Sequence, residues 1–255
     1  MSNIETFCTK YGNISLYINV YYLGGSFKIG GYWEEDNMLK LRRFINPYKN
    51  ILEIGGHCGT SSVFYSNFLN DNSKIFVYEP QKNMFDLLVK NIDQNNLQYK
   101  IIPNNMGVFC YNGIGRMCDI DVEVVGVNVL KRYNEENTLS CNFGGICLGT
   151  EGEIINLTTI DNMNLTNIGF IHCDAQGSEN FIFSKGIELI TRDRPFIFYE
   201  NNLVYGHTLY NNVCKSYPEY IEESLFDIKK YCMETLHYSM FIDRFNGGID
   251  TLLIP

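Results

Sequence analysis

The chain has 255 residues, 45% hydrophobic and 19% charged, with a formal net charge of −9. That length suits one α/β domain with additions. The composition excludes disordered and membrane-embedded classes, and no apolar run reaches bilayer-spanning length. No basic stripe is visible, so a nucleic-acid partner is not expected. The nine cysteines are irregularly spaced without a CxxC. They read as reduced thiols of a cytoplasmic protein, with no secretory leader expected.

In chain order, the apolar and β-branched run of residues 14–22, punctuated by glycine pairs at 24–25 and 30–31, reads as a small hairpin. YWEEDNMLKLRRFI then reads as a helix, with acids early and bases late as the helix dipole prefers. Tyr32 and Trp33 at its start suit packing or a cap over a ligand, and Glu34 or Glu35 suits the helix start. NILEIGG is the first core strand, followed by a helix over TSSVFYSNFL. SKIFVYEP is a second buried strand, KNMFDLLVKNIDQNN an amphipathic helix and YKIIPNNMGV a third strand. This rhythm predicts a doubly wound, mostly parallel sheet.

Residues 111–153 carry scattered glycine and asparagine and read as an irregular insertion, with a hairpin of its own around DVEVVGVNV. Regular elements resume with IINLTTIDNM, a strand ending in Asp174, a helix over SENFIFSKGIELITR and the strand PFIFYE. The last segment, MFIDRF-NGG-IDTLLIP, is an antiparallel hairpin signal.

Chemistry concentrates where these strands end. Gly55, Gly56 and Gly59 follow the first strand, where glycine permits positive φ and a close ligand approach. The spacing is ExGxxxG from Glu53, not the GxGxxG of a pyrophosphate cradle. It suits S-adenosylmethionine, whose carboxylate and ammonium need seating, and a purely structural turn stays open. Glu79 ends the second strand, where an acid accepts hydrogen bonds from both ribose hydroxyls. Asp174 and Glu200 arrive at the same sheet edge from two later strands.

The ordered set EIGGHCG … VYEP … IHCDAQGSE … RPFIFYE, over residues 51 to about 200, resembles the FkbM-type family of S-adenosylmethionine-dependent methyltransferases. That family's pattern reads DxGAxxG … EP … IKxDxEGxE … rP … E. The resemblance implies a Rossmann-like class I fold and methyl transfer to oxygen, often a hydroxyl of a sugar or natural product. The sequence departs from the pattern at His57, Cys173 and Gln176. Gln176 stands where an acid is usual, and with the odd 111–153 segment it supports the alternative of a non-catalytic ligand-binding or assembly protein.

The expected organisation is an N-terminal hairpin and helix over 1–45 packed on a methyltransferase domain over 46–255. The expected cofactor-binding set is Glu53, Gly55, Gly56, His57, Gly59, Thr60, Glu79, Pro80, Asn105 and Asp174. The expected catalytic set is Asp174, then Glu200, then His207, with the acid taking the proton of an acceptor hydroxyl. His172 shares a strand face with Asp174 and is equally suited to core packing. A magnesium ion gathered by Asp174, Glu200 and Asp243 is a less favoured alternative. The expected acceptor is a sugar or glycan, and the aromatic edges and terminal hairpin permit a homodimer.

Overall fold

The apolar runs between the glycine turns and the amphipathic helices assemble into one seven-stranded sheet. The computed structural model describes residues 4–17, 23–121, 127–128, 142–202 and 208–255. A hairpin comes first, β1 (Ile4–Thr9) and β2 (Gly12–Tyr17), then helices α1 (Leu23–Lys28) and α2 (Glu35–Leu41). The core unit is β3 (Asn50–Ile54), α3 (Thr60–Ser66), β4 (Ile75–Tyr78), α4 (Lys82–Gln94) and β5 (Ile101–Asn104). Short strands β6 (Gly107–Val108), β7 (Gly113–Met117), β8 (Ile120–Asp121), β9 (Val127–Asn128), β10 (Leu148–Gly149) and β11 (Ile154–Thr158) follow. The sheet is completed by β12 (Ile168–Cys173), β13 (Phe196–Glu200), β14 (Met240–Asp243) and β15 (Asp250–Ile254).

The strand order is β14-β15-β13-β12-β3-β4-β5. β3, β4, β5, β12 and β13 run parallel, while β15 is antiparallel to both β13 and β14. The chain winds outward from β3 to β5 and then returns to the other side of β3 as β12. The carboxyl ends of β3 and β12 therefore flank the switch point, where a doubly wound sheet opens a crevice. Ile51, Leu52, Ile75, Val77, Ile171 and Ile197 are buried on the two faces, as a sheet covered on both sides requires.

The amphipathic helix α4 buries Met84, Leu87, Leu88 and Ile92 on one face. Asn91 lies on that face and is fully buried. Its Oδ1 accepts from the Ser15 N–H at 2.7 Å, and its Nδ2 donates to the carbonyls of Ser15 and Cys58 at 3.1 and 2.7 Å. One side chain thus pins the N-terminal hairpin to the core and to the turn after β3. The hairpin turns at Lys10–Tyr11, earlier than its glycine pairs suggested. Gly24 and Gly25 lie inside α1, and residues 18–22 are outside the described residues.

The 111–153 segment is less irregular than its composition. β8 and β9 pair antiparallel around DVEVVGVNV, starting one residue earlier at Ile120, and residues 122–126 and 129–141 lie outside the described residues. Around them runs a four-stranded sheet in the order β10-β7-β11-β6. Its glycines are spacing devices: a Cβ on Gly149 would lie 2.8 Å from the Cys118 Cα. The predicted helix over 178–192 is two helices, Glu179–Ser184 and Ile187–Asp193. They are separated where Gly186 packs on Ile160. Among the described residues no helix is long and apolar enough to cross a membrane.

Candidate active site

A cavity of about 270 Å³ opens at the carboxyl ends of β3, β4, β12 and β13. Its floor and sides carry Glu53, Gly55, Gly56, His57, Thr60, Glu79, Pro80, Asp174 and Glu200. The structure thus gathers most of the expected residues around one space. Gly59 and Asn105 are not in its lining, and His207 lies outside the described residues.

The glycine turn has a packing cause. Gly55 has φ +84°, and a Cβ there would lie 1.8 Å from the Asp174 carbonyl oxygen. The Asp174 N–H donates to the Ile54 carbonyl at 2.9 Å, so β12 continues alongside this turn. Cβ atoms on Gly56 and Gly59 would collide with Val77 and Leu88. The three glycines let β3 close against its neighbours, and Gly55 and Gly56 also leave backbone facing the cavity.

Glu79 is the most constrained acid. It is 3% exposed, and its two oxygens accept from the backbone N–H groups of Gln81 and His57, each at 2.8 Å. Burial raises its carboxyl to about 7, against those two hydrogen bonds, which favour ionisation. Each oxygen keeps acceptor capacity toward the cavity. Asn105 braces this corner from behind, its Nδ2 donating to the Glu79 and Pro80 carbonyls at 2.9 and 3.0 Å.

Glu53 sits at the floor. It accepts from the Ser62 hydroxyl, and burial raises its carboxyl to about 8. It is therefore a neutral, anchored group near pH 7 before any cation arrives. His57 has a left-handed backbone at φ 46°, its ring is held neutral by burial, and its buried Nε2 has no hydrogen-bond partner.

At the opposite end Asp174 is open to the cavity mouth. Its Oδ1 accepts from Gln176 Nε2 at 2.7 Å, and the same nitrogen reaches Glu200 Oε2 at 3.4 Å. Asn202 Nδ2 also donates to that Glu200 oxygen at 2.8 Å. Burial raises both carboxyls, Glu200 strongly, and Asp174 adds to the rise at Glu200. Gln176 therefore bridges the pair where the resembled family has an acid. Glu179 lies outside the cavity lining; its carboxylate accepts from the Ala175 N–H at 2.8 Å and closes the 174–178 turn.

His172 lines the cavity but is a packed residue. Its Nδ1 lies 3.1 Å from the Tyr65 hydroxyl, its ring abuts Phe198, and burial lowers it to about 4. Asp243 is engaged by Lys229 and the Thr251 hydroxyl and is not in the lining. Among the described residues, no group of three or more histidine, cysteine, aspartate or glutamate side chains is placed to hold a metal ion. Tyr32 is buried, with its hydroxyl donating to the Thr60 carbonyl at 2.8 Å. Trp33 and Glu34 do line the cavity, and so does Ser178, which nothing in the sequence singled out. Part of the opposite wall comes from the insertion, through Met117, Asn142, Gly144, Ile146 and Leu148.

The strand order and the switch-point cavity define the Rossmann-like class I methyltransferase fold. No protein-family model matches the sequence, and no characterised protein matches it. Among solved structures, the fold is similar to the methyltransferase FkbM of Methylobacillus flagellatus, with a TM-score of 0.50 and 14% identity. That match covers 82% of this chain and 44% of that one, so this chain spans less than half of the other's length. An O-methyltransferase from Bacillus cereus in complex with SAH aligns over 86% of this chain and 79% of its own, at 15% identity and TM-score 0.44. A caffeoyl-CoA O-methyltransferase-like structure from Staphylococcus aureus aligns over 87% and 84%, at 15% identity and TM-score 0.43.

Proposed function

We propose that the chain is an S-adenosylmethionine-dependent O-methyltransferase that methylates a hydroxyl of a sugar or glycan. The observation that carries this reading is the Glu79 carboxyl, fixed by two backbone N–H groups at the tip of β4 in a cavity lined, among the described residues, by no lysine or arginine. A phosphate-bearing dinucleotide has no cationic side chain to meet among those described lining residues. A sulfonium donor, which carries a net positive charge and a ribose diol, meets acids at every turn.

The residues present suit that donor. Glu79 accepts from the ribose hydroxyls, with His57 and Pro80 beside it. The backbone at Gly55 and Gly56 and the Glu53 carboxyl face the amino-acid end. The unpartnered His57 Nε2 is a buried polar atom that a ligand would satisfy. When bound, S-adenosylmethionine supplies an electrophilic methyl group.

Asp174 orients the acceptor hydroxyl and takes up its proton, since it is open to the cavity mouth at the end of β12, where the glycine turn also faces. Glu200 lies beside it, less open to the mouth, with its carboxyl raised strongly by burial. Gln176 fixes the geometry of both acids through one amide nitrogen.

Calorimetry of the full chain with S-adenosylhomocysteine and with NAD tests the reading. S-adenosylhomocysteine should bind and NAD should not. The reverse preference would remove the methyltransferase reading. Methyl transfer to a glycan extract, lost in Asp174→Ala with donor affinity retained, separates an enzyme from a non-catalytic relative.

A further inference from the structure

The cavity is lined by more carboxyl groups than a methyl donor engages. Among the described residues five carboxyl side chains line it: Glu34, Glu53, Glu79, Asp174 and Glu200. Glu53 is engaged by Ser62, and Glu79 is the ribose acid of the reading above. Glu34, Asp174 and Glu200 remain, delivered by the start of α2, the end of β12 and the end of β13. Asp250 stands opposite Glu200 in the β13–β15 ladder and adds a fourth acid behind them. Burial raises the Glu34, Asp174 and Glu200 carboxyls, and an ammonium group placed among them favours their ionised forms.

A second observation points to a ligand at the same end. Ser178 is 1% exposed, lines the cavity, and its hydroxyl has no hydrogen-bond partner. The Gln176 Oε1 is also buried and unpartnered, while its amide nitrogen is spent on Asp174 and Glu200. The groups on offer are thus carboxyl oxygens, an amide oxygen and one hydroxyl. They accept hydrogen bonds from a donor-rich, positively charged group and repel a phosphate or carboxylate.

We propose that the acceptor is an aminated saccharide, its ammonium group seated among Glu34, Asp174 and Glu200 with the hydroxyl to be methylated beside it. This rests on the methyltransferase reading and narrows its acceptor class. A protonated amine has no lone pair to offer an electrophile, so in this seat it positions the sugar and leaves the hydroxyl as the nucleophile.

The test uses the full chain saturated with S-adenosylhomocysteine and titrated with glucosamine and with N-acetylglucosamine, which keeps the ring and removes the charge. Glucosamine should bind at least about tenfold more tightly. Its advantage should shrink as salt is raised, because screening weakens charge pairing at an open mouth. Glu34→Gln should erase most of the advantage with S-adenosylhomocysteine still bound, which shows the variant is folded. Equal binding of the two sugars, binding of neither, or an advantage untouched by Glu34→Gln overturns the proposal. Failure of S-adenosylhomocysteine to bind is a different result and removes the methyltransferase reading itself.

Discussion

The backbone N–H of His57 donates to Glu79 Oε2 at 2.8 Å, tying the turn after β3 to the acid at the tip of β4. The two strand ends that would hold opposite ends of an adenosyl donor are thereby set relative to each other before any ligand arrives. That rigidity lowers the ordering cost of binding.

Glu79→Ala removes the ribose acceptor and leaves two buried N–H groups without a partner. Hydrogen bonds to a charged group are worth about 1.5–3 kcal/mol each. S-adenosylhomocysteine affinity should therefore fall by at least about tenfold. Titration calorimetry of the variant measures this, and an unchanged affinity would remove the ribose assignment.

Asp174→Asn keeps a side chain of the same shape within reach of Gln176 and removes the proton acceptor. Loss of a positioned base costs about 10²–10⁴ in rate. Transfer of a radiolabelled methyl group should fall by that order, with donor affinity within about threefold of the parent protein. A variant that retains its rate would move the proton to another group.

Glu53 links the site to stability. Its carboxyl is raised from 4.5 to about 8, chiefly by burial. The folded chain then keeps a proton that the unfolded chain has lost, so this group's contribution falls as pH rises from about 4.5 to about 8 and levels off above. The slope for one such proton is about 1.4 kcal/mol per pH unit. Glu53→Gln still accepts from Ser62 and has no proton to lose, so its Tm should decline less steeply between about pH 5 and 8. Parallel Tm profiles for the two proteins would assign the slope to other buried acids.

Gly55→Ala places a methyl group 1.8 Å from the Asp174 carbonyl oxygen at a φ of +84°. The contact is with backbone, so it cannot be relieved by a rotamer change. A destabilisation of about 3 kcal/mol or more should follow. It would appear as a fall in Tm of several degrees, together with weaker S-adenosylhomocysteine binding because Asp174 is displaced. A variant with parental Tm would contradict this account of the turn.

Much of this arrangement was legible in the sequence because strands with buried faces carry a strong apolar signal. The runs ending at Ile54, Tyr78, Cys173 and Glu200 became parallel neighbours, and Glu79, Asp174 and Glu200 reached one edge as that topology demands. What escaped depends on tertiary contact. The glycines after β3 suggested room for a ligand, but their tightest neighbours are Asp174, Val77 and Leu88. Ser178 carries no local signal, and its exposure to the cavity follows from how the turn before the helix Glu179–Ser184 folds back. The small sheet around 107–158 was hidden because its strands are short and its close approaches call for glycine, the same residue that marks loops. Gln176 looked like a lost acid, and only its contacts with Asp174 and Glu200 show it as a bridge.

A crystal of the full chain soaked with S-adenosylhomocysteine tests the central claim most directly. The nucleoside should lie at the carboxyl edge, with both ribose hydroxyls on Glu79, the amino-acid tail at Gly55–His57 and the sulfur directed towards Asp174. An unliganded cavity at saturating ligand, or a nucleoside bound away from Glu79, would contradict it.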